Sequence, residues 1–432
     1  MPPKKKGQKK GLKEKKREEE KLKIAILLKE LRNNYESKCA TVHSLCHQDV
    51  IKQMRRYADE GQLLSKIILT NGPADEELKV KLSPVIAAIR SIRYLHLKEM
   101  FIWEITVKYE DLLALSNFFQ QPMYSLSYLE LVDCKIDGFS LESFKDCLTT
   151  CSLSALVLDY NEFGDQGCAA ICAGLVGNKS LTKLSLKFCN LSSESGSSLG
   201  KAVSESAVSE LYLDGNKLEC EGLVELIRLL VDKSEQEARE RKENERNQAS
   251  SSETGGQRFL GVPTSMSKIR SSSALSTKSN ISVKPISSTT STGRKSAKKK
   301  RKKSPKKKAP PPPPKVGPWL TKLHVMDNCI DSHGIALKYG PVLTMRLLRR
   351  WISTSADLKE LDIDDNLIGD LGGREILGGL QDRKEAGLSN LTVWVTHRMH
   401  PDTFNKILTL GTAGKKKKKR GKGKGKPGKR KV

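Results

Sequence analysis

Residues 153–180, LSALVLDYNEFGDQGCAAICAGLVGNKS, constrain the fold more than any other stretch of the chain. They open as Leu153-x-x-Leu156-x-Leu158-x-x-Asn161-x-Phe163, a short strand with side chains alternating between two faces, closed by an Asn-bearing turn. Ala169, Ile171, Cys172 and Leu175 then recur at helical spacing. A strand–turn–helix unit of this size cannot bury its own apolar face and has to stack on copies of itself. Copies begin at Leu126, Leu153, Leu181 and Val208, at spacings of 27, 28 and 27 residues. Weaker ones begin at Leu64 and Ile92, and three more at Leu320, Leu358 and Leu388 after a long interruption.

Six units follow L-x-x-L-x-[LVI]-x-x-[NC]-x-[LIF], with Val208 in place of the first Leu in one of them. Asn161, Asn216, Asn328 and Asn366 hold the Asn position; Cys134 and Cys189 replace it in two units. Both side chains can donate a hydrogen bond to the loop backbone of a neighbouring turn, Cys more weakly. The pattern resembles a leucine-rich repeat array, and its period is similar to that of the ribonuclease-inhibitor-like subfamily. The resemblance implies an α/β solenoid: a curved parallel sheet with helices outside, serving as a protein-binding scaffold whose repeats carry no catalytic residues.

The distance from Val208 to Leu320 equals four such units, one repeat plus an insert of three more. Loop closure costs grow only with the logarithm of length, so an insert at a helix-to-strand connection is tolerated. A single interrupted solenoid is therefore expected. Its parts are a disordered basic arm (1–20), a helical N-terminal cap (21–63), repeats (64–232) and a disordered basic and proline-rich insert (233–316). Repeats with a C-terminal cap (317–412) and a Lys-rich tail (413–432) complete it. Helices are expected over 18–35, 42–57 and 76–90. The helix beginning at Glu221 is expected to fray beyond Val231, where it is charged on every face. Phe101, Trp103 and Tyr109 read as a small apolar cluster on a bulge.

The net charge of +27 is unevenly placed. Residues 1–24, 258–315 and 415–432 carry net charges of +7, +17 and +12, which leaves the remainder at −9. A mildly acidic body with basic appendages follows. The start lacks an apolar signal segment, no run approaches a membrane span, and the cysteines Cys134, Cys168, Cys172, Cys189, Cys220 and Cys329 fall at core or ladder positions. The expected setting is a reducing interior, with no membrane partner.

Candidate sites follow from alternation along the strands. Tyr128, Glu130, Asp159, Glu210, Tyr212, Asp214, His324, Glu360, Asp362, Asp364 and Trp394 are expected on the concave face as partner-binding residues, together with Lys183, Lys187 and Lys322. Strand alternation plus a turn Asp accounts for Glu360, Asp362, Asp364 and Asp365 without a metal. Cys39, His43, Cys46 and His47, read on one helix, could not surround zinc. No catalytic motif is present, and neither a cofactor nor a metal is expected.

The second candidate is polyanion binding by Lys298, Lys299, Lys300, Arg301, Lys302, Lys303, Lys306, Lys307 and Lys308, and by Lys415, Lys416, Lys417, Lys418, Lys419 and Arg420. Ser304 lies in Ser-Pro-Lys-Lys, similar to units of linker-histone tails, where phosphate would subtract charge. Acidic tubulin tails and nucleic acid are both suitable targets. The opening Met-Pro-Pro-Lys-Lys-Lys resembles that of many axonemal proteins, which favours ciliary microtubules; a nuclear, nucleic-acid-binding protein is the alternative. The mix of repeats, basic segments and residues 310–314, all Pro, also resembles the actin-linked tropomodulin–leiomodin group, though no actin-binding helix is evident.

Overall fold

The computed structural model describes residues 6–71, 79–253, 313–333 and 337–411. The chain divides into two units, residues 1–243 with 313–432, and residues 244–312. In the first unit, α1 (Lys6–Thr41) and α2 (Gln48–Glu60) precede the alternation β1 (Lys66–Thr70), α3 (Ser83–Ser91), β2 (Glu99–Trp103), α4 (Tyr109–Phe119), β3 (Tyr128–Val132), α5 (Gly138–Leu148), β4 (Ala155–Val157), α6 (Gly164–Leu175), β5 (Lys183–Ser185), α7 (Ser195–Ser204) and β6 (Glu210–Tyr212). Helix α8 (Glu219–Glu253) leads toward the insert, and β7 (Lys322–His324), α9 (Gly340–Thr354), β8 (Glu360–Ile363), α10 (Gly369–Glu385), β9 (Thr392–Val395) and α11 (Pro401–Gly411) follow it. The strands form one nine-stranded parallel sheet in sequence order.

The sheet crosses the insert without a break. Glu210, Leu211 and Tyr212 pair with Lys322, Leu323 and His324, and the Thr321 hydroxyl donates to the Ser209 carbonyl at 2.9 Å. Leu211 and Leu323 are fully buried in a single core that runs from Leu28 on α1 to Ile407 on α11. Leu28, Leu31, Tyr35, Val50 and Met54 on α1 and α2 close the first end of that core, as a solenoid requires.

The ladder residues bind the turns together. Asn161 Oδ1 accepts from the Cys134 and Ile136 N–H groups at 2.9 and 3.2 Å, while Nδ2 donates to the Leu131 and Leu158 carbonyls at 2.8 Å. Asn216 repeats this with Cys189, Leu191, Leu186 and Leu213. Asn366 repeats it with Asn328, Ile330, Val325 and Ile363. The Cys134 and Cys189 thiols donate to the Ile102 and Leu158 carbonyls of the preceding turn at 3.4 and 3.3 Å. At the joint across the insert, Asn328 Nδ2 donates to Leu213 O at 3.0 Å, but its buried Oδ1 has no partner among the described residues.

A second device repeats beyond the strands. Glu104, Asp133, Tyr160, Phe188, Gly215, Asp327 and Asp365 all have positive φ, between 49° and 71°. The first six donate their N–H to the neighbouring repeat, at 2.8–3.1 Å, which prolongs the ladder past the strand. Left-handed backbone costs an L side chain about 1–2 kcal/mol, so the position suits Gly or a short polar residue.

Several local expectations are corrected. The second repeat starts at Leu97, not Ile92: Glu99 pairs with Lys66, and Leu95 is exposed. Ile92-x-x-Leu95-x-Leu97 imitates the motif, but Arg93 turns at φ 51° and sends Tyr94 into the core, where its hydroxyl donates to Leu64 O at 2.8 Å. In the last repeat Leu361 faces Val393, two residues beyond the register implied by Leu388. On α6, Cys168 is buried and Ala169 exposed. Cys329 is exposed, at φ 56°.

The helical ends also differ. Residues 42–47 form a turn, so Cys39, His43, Cys46 and His47 do not share a helix. His47 instead caps α2, with Nδ1 accepting from Val50 N at 3.4 Å. Helix α3 begins at Ser83; residue 76 lies outside the described residues. Helix α8 continues past Val231 to Glu253, and α9 holds it as far as Arg241. Arg350 donates to both Glu235 oxygens at 2.7 and 3.0 Å, and Arg241 to the Thr354 carbonyl at 2.5 Å. Near the C-terminal end, buried Arg383 donates to the carbonyls of Ile352, Ser355, Leu358 and Ser389 at 2.6–2.9 Å. Burial, with the Arg241 charge, lowers its pKa to about 10.

Candidate functional site

The inner face carries the side chains that alternate with the core leucines. In the last repeat the two-residue shift of register preserves the face that alternation gives to Trp394. Two polar–aromatic clusters stand on this face, separated by a low strip.

The first cluster lies over β1–β3. Lys66 Nζ sits 3.9 Å from the Phe101 ring centroid, and Phe101 stacks on Tyr128 at 5.0 Å. Glu130 accepts from Trp103 Nε1 at 2.9 Å and from the Tyr128 hydroxyl at 3.0 Å. Burial, then the bond to Glu130, pushes the Tyr128 phenol well above its ordinary pKa. Phe101 and Trp103 thus belong to this face and not to a bulge. The misplaced start at Ile92 hid them; alternation counted from Leu97 would have found them. Tyr109 stands apart, stacked on Phe139 at 5.5 Å at the starts of α4 and α5.

The strip is built from small and satisfied groups. Ala155, Val157 and Ser185 point out of the core yet are buried. Asp159 accepts from Ser185 Oγ at 2.7 Å and Lys187 N at 2.9 Å, and burial raises its pKa despite those bonds. Asp214, 3% exposed, lies 2.6 Å from Lys187 Nζ and accepts from Met326 N at 3.1 Å. These two aspartates, expected on the partner-binding face, also bridge strands, Asp214 buried and Asp159 half-buried.

The second cluster lies over β6–β9. Glu210 accepts from Tyr212 OH at 3.1 Å and pairs with Lys322 at 3.2 Å. The His324 ring is 4.7 Å from that of Tyr212 and 5.9 Å from that of Trp394. Its Nε2 meets Glu360 at 2.9 Å, and its Nδ1 lies 3.6 Å from Asp362. Burial raises the Asp362 pKa, opposed by the Asp364 N–H and His324 and assisted by the Asp214 and Asp364 charges. Trp394 is 39% exposed, and Asp364 accepts from Asp365 N at 2.9 Å. The structure therefore gathers Glu210, Tyr212, His324, Glu360, Asp362 and Trp394 into one patch, and Tyr128 and Glu130 into another.

The basic candidates Lys298, Lys299, Lys300, Arg301, Lys302, Lys303, Lys306, Lys307, Lys308 and Ser304, and Lys415, Lys416, Lys417, Lys418, Lys419 and Arg420, lie outside the described residues. No described helix is long and apolar enough to cross a membrane.

Stacked strand–helix units, a ladder of Asn and Cys side chains and a polar–aromatic inner sheet face define a leucine-rich repeat protein. The leucine-rich repeat family model matches residues 150–172, 177–200, 318–336 and 354–377, two repeats on each side of the insert. A stretch of 116 residues, 26% of this chain, is 34% identical to part of NACHT, LRR and PYD domains-containing protein 5 of Homo sapiens. The match spans 10% of that protein's length. Proteins of this repeat class typically act as scaffolds for protein interaction.

Proposed function

We propose that this chain is a non-enzymatic adaptor that holds a protein partner on its inner sheet face. The observation that carries this reading is the pair of aromatic–carboxylate clusters, centred on Phe101, Tyr128 and Glu130 and on Tyr212, His324 and Trp394. Large amphipathic rings with satisfied carboxylates beside them suit the anchor points of an interface. A photoreactive residue at position 394 is expected to form a discrete protein adduct in cells. The same residue at Leu229, exposed on α8, is the control. Equal labelling from both positions, or none from 394, would refute the assignment.

The adaptor's basic segments, residues 1–24, 258–315 and 415–432, attach it to a polyanionic surface, and axonemal microtubules are the favoured one. Attachment of this kind releases counterions and weakens steeply with salt. The full chain is expected to sediment with microtubules and to lose most of that binding once the acidic tubulin tails are removed. Tighter binding to DNA than to microtubules, with nuclear accumulation requiring residues 298–308, would transfer the assignment to the nucleus.

A further inference from the structure

The left-handed position after each of β2–β8 is filled unevenly. Glu104, Asp133, Gly215, Asp327 and Asp365 are acids or glycine, whereas Tyr160 and Phe188 are aromatic, at φ 60° and 53°. Bulky aromatic residues are poorly suited to that backbone, and these two gain little burial there: Tyr160 is 52% and Phe188 36% exposed. They stack on one another at 4.7 Å and 10°. Phe188 in turn lies over Gly215, where any Cβ would collide with its ring. Three successive repeats thus build an aromatic step on the loops that follow β4–β6.

Phe188 covers one face of Tyr160. Tyr160 also lines a cleft of about 550 Å³, shared with Phe188 and Glu162 and with Asp133, Lys135, Ile136 and Asp137 of the preceding repeat. The cleft's charges are unequal. Lys135 pairs with Asp133 at 2.8 Å and also feels the charge of exposed Glu162, so two carboxylates already face one lysine. Asp137 accepts from Ser140 N at 2.7 Å and adds a further negative charge. An aromatic wall, a floor closed by buried Ile136 and surplus carboxylate together match one side-chain chemistry. A planar guanidinium can stack on the phenol ring while its N–H groups reach Glu162; a compact ammonium can do only part of this.

We propose that this cleft is a receptor for an arginine side chain presented by a protein partner. It shares no side chain with the two inner-face clusters and stands whether or not that face binds anything.

The test is an NMR titration of the full chain with the Ile136 methyl labelled, using acetyl-Gly-Arg-Gly-amide and its lysine and citrulline counterparts. The arginine peptide is expected to move the Ile136 methyl saturably. Lysine should bind about threefold to fivefold more weakly, and citrulline should give no saturable shift. Tyr160→Asn should weaken arginine binding at least about fivefold, because Asn accepts left-handed backbone but offers no ring. Its melting temperature should equal or exceed that of the parent, which separates lost binding from lost folding. Glu162→Gln should weaken binding about threefold. No shift at Ile136, equal binding of lysine and arginine, or binding unchanged in Tyr160→Asn would each overturn the proposal.

Discussion

Glu210 and Lys322 are 112 residues apart in the chain, lie opposite each other on adjacent strands, and join their side chains at 3.2 Å. Nothing local brings them together; the stacking of one repeat on the next does. Lys322 also feels the charge of Glu360 on the following strand. Lys322→Glu would set three acids in a row across β6–β8. It is expected to cost about 1 kcal/mol, most of which the swapped pair Glu210→Lys with Lys322→Glu should recover. Urea denaturation of the four proteins measures this. Additive effects with no recovery would mean the strands are not neighbours in solution.

Asn216 makes four buried hydrogen bonds to loop backbone. Asn216→Ala leaves two N–H groups and two carbonyls without that partner and is expected to cost about 3 kcal/mol. Cys189→Ala removes a weak thiol donor and little volume, and should cost about 1 kcal/mol. Chemical denaturation compares the two. A Cys189 variant as damaged as the Asn216 variant would show that thiol and amide ladder positions are equivalent.

Asp362 gives the second cluster a pH dependence of its own. Its folded pKa is raised above the ordinary carboxylate value, chiefly by burial. Its ionised form therefore costs stability above the folded pKa, and the cost is relieved as pH falls through that value toward the ordinary one. Asp362→Asn, which keeps an oxygen to accept from the Asp364 N–H, is expected to raise the melting temperature at pH 7 by about 2 °C. The gain should shrink toward pH 4. A gain that grows on acidification would reverse the sign assigned to this group.

The ladder and the faces of β3–β9 were legible because each rests on a short-range rule. Asn161, Asn216, Asn328 and Asn366 mark turns, and alternation marks faces. Spacing also located the joint between Val208 and Leu320, since a whole number of units separates them. Where a true repeat departs from the common length, the same rule misled: Leu97 was passed over because Ile92-x-x-Leu95-x-Leu97 fits the motif at the regular interval. Phe101 and Trp103 were lost with it. The fates of Asp159 and Asp214 depended on their neighbours' hydrogen bonds, which one strand's sequence does not contain. Helix α8 looked unsupported because Arg350 and Thr354, which hold it, lie more than a hundred residues downstream. The aromatic step at Tyr160 and Phe188 was visible as residues but not as a surface, because the motif does not state which positions take left-handed backbone.

Cutting the chain inside the insert tests the continuous spine most directly. A protease site placed near residue 280 would yield two fragments joined by β6–β7 pairing, the α8–α9 contacts and the shared core. The cut protein is expected to elute as one species under native conditions and to unfold in a single transition. Separation into two independently folded bodies would contradict a spine that runs from Leu28 to Ile407.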